Sequence, residues 1–130
     1  MEITHLEIQN GYLFVAGIGE FDYRLAMEQF ARVVAQAKTH ACTRVLVDFT
    51  KIEGDISILT LYQVASQISN AAAEITALAL IDRPERILPD RFWEKTAQNR
   101  GFNARVFGSM DEGRRWITAV HANSDQAPSY

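Results

Sequence analysis

Two apolar runs, Arg44-Val45-Leu46-Val47-Asp48-Phe49 and Ile75-Thr76-Ala77-Leu78-Ala79-Leu80-Ile81, lack the polar-apolar alternation of a half-wet strand. Strands of that kind are covered on both faces, which requires helices packed over the sheet. Tyr12-Leu13-Phe14-Val15-Ala16 has the same character. Helical segments lie between the runs. From Tyr23 to Lys38, the residues Leu25, Ala26, Phe30, Val33, Val34 and Ala37 recur at helical spacing, with Arg24, Glu28, Arg32 and Gln36 on the other side. From Ser57 to Ala72, Ile58, Leu61, Tyr62, Ala65 and Ile68 form one stripe. Strands that alternate with helices run parallel and are joined by right-handed crossovers.

The ends of the chain complete this pattern. Thr4-His5-Leu6-Glu7-Ile8 alternates, so it predicts an edge strand with one wet face. Asn10-Gly11 suits a type I′ turn, which makes the opening an antiparallel hairpin. Gly17-Ile18-Gly19 predicts the end of the second strand in a tight turn, and Asp22 predicts a helix cap. Lys38 and His40 complement the dipole at the end of that helix. Thr50 to Asp55, with Gly54, reads as a loop. Pro84 interrupts the third buried strand, Pro89 opens a helix running to about Arg100, and Gly101 suits its left-handed terminus. Ala104 to Phe107 reads as a last, more polar edge strand. Ser109-Met110-Asp111-Glu112 is a capping box before a final helix carrying Trp116, Ile117 and Val120. The order β-β-α-β-α-β-α-β-α predicts an α/β fold: a mixed five-stranded sheet with four helices, the N-terminal hairpin antiparallel and the rest parallel. Residues 1–121 form one domain in this reading, and 122–130, with no periodicity from Asn123, a frayed tail.

Charge and cysteine content narrow the function. Thirteen Lys and Arg against sixteen Asp and Glu leave a net charge of −3 over 130 residues, giving no electrostatic reason to bind nucleic acid. The lone Cys42 cannot form an intrachain disulfide. No apolar run is long enough to span a bilayer, and Met1 to His5 lacks the basic and apolar blocks of a signal peptide. The expected setting is cytoplasmic.

The search for chemistry mostly ends in structural readings. His5, His40 and His121 lie on separate elements without metal-ligand spacing, so neither a metal nor a cofactor is expected. Cys42 precedes a strand, where a small buried hydrophobe is the usual role. Gly17-x-Gly19 falls short of a dinucleotide fingerprint, because Asp22 stands where a third small residue belongs and would repel pyrophosphate. Asp48 is expected to be partly buried and bonded to the following loop. Trp116 fits a core stripe, whereas Trp93 beside Phe92 does not obviously point inward. One geometric consequence remains. All βα loops of a parallel sheet leave from one edge, where ligand sites gather. That edge collects residues 17–22, 50–57 and 82–90. It brings Asp55, Ser57 and Ile58 toward Arg83, Arg86 and Arg91. A hydroxyl at a helix start beside arginines can hold, or become, a phosphorylated group; an N-cap beside solvated arginines explains the same residues.

Several pieces, taken in order, resemble a known family: Val45-Leu46-Val47-Asp48-Phe49 with Gly54, Arg83-Pro84-Glu85, Arg91-Phe92, Asn99-Arg100-Gly101, Arg105-Val106-Phe107, and Glu112 with Trp116-Ile117. The chain resembles the SpoIIAA-like (STAS/SEC14-like) proteins, related to STAS-domain anti-sigma-factor antagonists, from about Arg44 to Trp116. The resemblance implies the element order already reached and a non-catalytic bacterial module. In the antagonists a serine in Asp-Ser-Ser-Gly-Leu at a helix start is phosphorylated by a partner kinase. The corresponding stretch is Asp55-Ile56-Ser57-Ile58-Leu59, which keeps Asp55, Ser57 and Leu59. Ile56 and Ile58 crowd the hydroxyl and make its surroundings apolar, in keeping with the lipid-binding side of the family.

The leading expectation is a regulatory protein-interaction module using Asp55, Ser57, Ile58, Arg83, Arg86 and Arg91, with Ser57 as a phosphorylation site. The alternative is a carrier or sensor of an apolar or anionic amphiphile, with Ile56, Ile58 and Leu59 on its tail and the arginines on its head. An enzyme would need an acid-base pair such as Asp48 with Asp82, and nothing demands one. The edge strand Leu6 to Ile8 offers a route to a homodimer.

Overall fold

The structure is a computed structural model that describes residues 1–54, 63, 66–67, 74–99 and 101–126, with the backbone alone for 88–93 and 121–126. Its elements are β1 (Glu2–Gln9), β2 (Tyr12–Glu20), α1 (Tyr23–Thr39), β3 (Arg44–Asp48), β4 (Ile52–Glu53), β5 (Ala77–Ile81), α2 (Pro84–Asn99), β6 (Ala104–Phe107) and α3 (Met110–Gln126). Gln63, Ser66 and Gln67 are helical, inside the segment for which the periodicity predicts a helix.

The sheet runs β1-β2-β3-β5-β6, with β4 added beside β2. Only β1 is antiparallel to its neighbour; β2, β3, β5 and β6 are parallel in sequence. Because the sheet grows in one direction, right-handed crossovers place the connecting helices on one face. α1 and α2 accordingly pack against the side chains of Leu13, Val15, Val45, Leu78, Ala104 and Val106. α3 instead covers the other face through Ile117 and Val120, against Tyr12, Phe14, Leu46, Ala77, Ala79 and Ile81. The small Ala77 and Ala79 admit α3 closely, and a Cβ at Gly113 would collide with Ile81 Cδ1.

Local signals explain most boundaries. Asn10 and Gly11 take φ 47° and 85°, as the type I′ turn requires. Asp22 accepts from Leu25 N at 2.9 Å and caps α1. Ser109 Oγ accepts from Glu112 N at 3.4 Å at the start of α3. The edge strand β6 is covered by α2: Glu94 accepts from Val106 N at 2.7 Å, and Gln98 donates to Ala104 O at 3.0 Å.

Four boundaries differ from the sequence reading. Ile52–Glu53 is a sixth strand rather than loop, paired in parallel with Gly19–Glu20; a two-residue ladder leaves no periodicity to read. Gly17 and Gly19 lie inside β2 rather than in a tight turn. A Cβ on Gly17 would sit 2.9 Å from Glu2 O, so this glycine serves close strand approach. α2 begins at Pro84, not Pro89, because proline suits either the strand break or the helix start, and here it does both. α3 continues to Gln126, past Asn123, where the sequence loses its helical periodicity, since no glycine or proline stands between Asn123 and Gln126.

α1 ends in a left-handed residue that is not glycine. Ala41, at φ 51°, donates to Lys38 O at 3.2 Å while Cys42 N reaches Ala37 O at 2.8 Å, the paired bonds of a Schellman motif. Gly101 holds the same place after α2. Ala41→Gly therefore raises stability by about 1 kcal/mol by removing the left-handed penalty. Urea unfolding checks this as a higher midpoint at unchanged slope; an equal or lower midpoint contradicts it.

Candidate functional site

The parallel strands β2, β3, β5 and β6 end on one rim, where their loops are stitched together by backbone bonds. Phe49 N donates to Ile81 O at 2.8 Å, Asp82 N to Phe107 O at 2.9 Å, and Phe21 N to Glu53 O at 2.8 Å. The segments leaving at Phe49 and Ile81 thus emerge at the same margin, as the parallel reading requires.

Two loops of the rim are joined by Arg86, which pairs with the buried carboxylate of Asp82 in its own segment. Asp82 is 2% exposed. Its Oδ1 accepts from Arg83 N at 2.8 Å, Arg86 Nε at 2.9 Å and Arg86 Nη2 at 2.5 Å. The same guanidinium crosses to the β3–β4 loop, donating to Ile52 O at 2.6 Å and Phe49 O at 3.0 Å. It lies 5.8 Å from the Phe49 ring centroid, in cation-π range. Arg83 Nη2 adds bonds to Ile52 O at 3.0 Å and Glu53 Oε2 at 3.1 Å. Asp48 tightens the same loop by accepting from Thr50 N at 3.0 Å and Thr50 Oγ1 at 2.6 Å, the local satisfaction expected of it. The rim is therefore a preassembled surface, with Lys51, Glu53 and Gly54 exposed upon it.

The sequence-predicted site residues fare differently. Arg83 and Arg86 do meet at the rim, but their guanidinium groups are bonded to its loops. Charge is legible in a sequence; the carbonyls that will absorb it are not. Arg91 lies in α2, where only the backbone is described. Asp55, Ser57 and Ile58 lie outside the described residues, as do Ile56 and Leu59.

An apolar cavity of about 150 Å³ opens beside the clamp, between α1 and the sheet. Val15, Val47 and Leu80 form its floor, Phe30 and Val33 its helical wall, and Phe49 and Ile52 its rim end. A gap between side chains has no sequence signature, although Ala26 and Met27 mark where α1 is small or pliable along its wall.

The other residues singled out by chemistry are apart from the rim. Cys42 is buried, with Sγ 3.5 Å from Gly11 O and 3.4 Å from Arg44 O. His5 packs on Phe14, and His40 ends α1. Half-buried Trp116 packs against Phe107 at 5.7 Å and lies under Arg105 at 5.7 Å. Trp93 and His121 fall where only the backbone is described. Among the described residues, no three His, Cys, Asp or Glu cluster as metal ligands, and no helix is long and apolar enough to cross a membrane.

The sheet order, the antiparallel first strand and the helix placement are those of the anti-sigma factor antagonist fold, in agreement with the STAS-type resemblance read from the sequence. In particular, the structure is similar to that of an anti-sigma factor antagonist from Mycobacterium paratuberculosis. The TM-score is 0.62 at 20% identity, over 89% of this chain and 94% of the other. No protein-family model matches the sequence, and no curated protein does.

Proposed function

We propose that this chain is a non-catalytic regulatory module that binds a protein partner through the rim at the carboxyl ends of its parallel strands. The observation that carries this reading is the likeness of fold, over 89% of the chain, to a protein described as an anti-sigma factor antagonist. The partner class it suggests is an anti-sigma factor or a relative of one. The clamped loops support the same reading. A surface held rigid by Asp82 and Arg86 loses little entropy on docking, which favours protein-protein recognition. Lys51 and Glu53 contribute its exposed charges. Asp55, Ser57 and Ile58 follow Gly54 directly in sequence and extend the proposed surface, with Arg83, Arg86 and Arg91 supporting it from the next loop and helix. Ser57 is the hydroxyl at which phosphorylation would act, through its added negative charge.

The test is affinity for the partner recovered with the chain from its native cells. Lys51→Glu and Ser57→Asp each weaken binding about tenfold, or about 1.4 kcal/mol, with unchanged melting temperature. Unchanged affinity in both variants places the contact elsewhere and overturns the proposal.

A further inference from the structure

We propose that β1 pairs with the β1 of a second copy of this chain, antiparallel and centred on Leu6, so that two sheets join into one. β1 ends the sheet, and among the described residues no strand pairs with it on the side away from β2. This surface is the lateral edge of the sheet rather than the rim, so the inference stands apart from the protein-partner reading.

The hairpin turn decides which main-chain groups face outward. A two-residue turn at Asn10-Gly11 closes on Gln9 and Tyr12, which makes that pair a hydrogen-bonded one. Bonded and non-bonded pairs alternate along an antiparallel ladder. Glu7–Phe14 is therefore bonded, whereas Ile8–Leu13 and Leu6–Val15 are not. The N–H and C=O groups of Leu6 and Ile8 thus point away from β2, toward the free edge. The register irregularity lies between Ile3 and His5, so His5 to Gln9 is a regular edge with neither proline nor lysine to blunt it.

Side chains choose the register. Outward groups bond only to outward groups, so the twofold axis passes through a residue of the strand. An axis at Glu7 sets that carboxylate against the partner's Glu7, a like-charge pair. An axis at His5 sets two imidazoles together, and one at Ile8 carries the pairing into the Asn10-Gly11 turn. An axis at Leu6 avoids these conflicts. The two Leu6 residues then exchange both main-chain bonds, and each His5 faces the partner's Glu7 as a non-bonded pair, whose Cα atoms lie only about 4.5 Å apart. His5 and Glu7 are both exposed, on the sheet face that carries Phe14. His5 Nδ1 is 3.1 Å from Thr4 Oγ1, which leaves Nε2 to reach across the seam. Glu7 accepts from Gln9 Nε2 at 2.9 Å and keeps lone pairs for the imidazole. On the other face Leu6 packs against the core, and Ile8, 42% exposed, comes diagonal to the partner's Leu6. A seam this short lies at the low end of interface sizes, so the dimer forms at roughly tens to hundreds of micromolar.

Sedimentation equilibrium of the full chain, from about 10 μM to about 1 mM, reads the dimer directly. The expected mass rises toward twice that of one chain. His5→Glu sets carboxylate against carboxylate at both crossings and weakens association about tenfold or more. His5→Glu combined with Glu7→His exchanges the two roles and restores affinity to within about threefold of wild type. Both positions are exposed, so the melting temperatures of the dilute variants stay near wild type. A chain that remains a single copy at about 1 mM overturns the proposal. So does a dimer indifferent to His5→Glu, or one that the exchange fails to restore. The wild-type chain also decides the matter alone, whether or not a variant folds. Hydrogen exchange at the Leu6 amide slows as its concentration rises, and a rate independent of concentration overturns the pairing.

Discussion

Arg86→Met costs about 3–5 kcal/mol of folding stability, the largest loss expected from any single change at the rim. The magnitude follows from what is left behind. Asp82 keeps only 3% of its side chain exposed and Arg86 only 21%, so neither can recover its hydration without local opening. Without the guanidinium, the carboxylate is a buried charge that has lost its paired cation, and the carbonyls of Phe49 and Ile52 each lose one of their two donors, keeping Ile52 N and Arg83 Nη2. Arg86→Lys recovers only part of the loss, because one ammonium cannot span the acceptors that the planar fork reaches. The neighbouring Arg83–Glu53 pair, at 33% and 63% exposed, contributes at most about 1 kcal/mol. Urea unfolding of Arg86→Met measures the difference, and a loss below about 1 kcal/mol shows that the rim is not held by this clamp.

Arg44→Met costs about 2–4 kcal/mol and loosens the opposite end of the molecule. Arg44 is 6% exposed. Its Nη2 donates to Gly11 O at 2.7 Å and its Nη1 to Ile117 O at 3.0 Å, so one side chain ties the first hairpin turn to the last helix. Charged donors to backbone carbonyls are worth more than neutral ones. The methionine variant keeps the aliphatic stem but leaves those carbonyls short of a donor. Hydrogen exchange of α3 amides rises along with the fall in stability. Stability and exchange at wild-type levels contradict this assignment.

Arg44 and Arg86 also mark the limit of what a sequence reveals. The parallel sheet was readable because strand and helix periodicities alternate from Tyr12 to Val120, and Asp22, Asn10-Gly11 and Ser109 announce their caps and turn through local bonding. Long-range polar bonds have no such marker. Arg44 reads as the polar start of a strand, and Arg86 as one more loop cation, because their acceptors lie 33 to 73 and 34 to 37 residues away along the chain for the backbone carbonyls. The Ile52–Glu53 strand carries no marker of its own for a related reason, since its pairing depends on the backbone of Gly19 and Glu20 rather than on its own pattern. The convergence of loops on one rim was legible; the use of its arginines to hold the rim together, and the cavity beside them, required the packed structure.

Photo-crosslinking from single positions tests the central claim, that the partner docks on the carboxyl rim. The crosslinking residue replaces Lys51 or Glu53, exposed on the rim, or His40 or Asn103, exposed before the strands at the opposite end. In the native cell, Lys51 and Glu53 are expected to give one common protein adduct that His40 and Asn103 do not give. An adduct formed from His40 or Asn103 and absent from both rim positions would contradict the account.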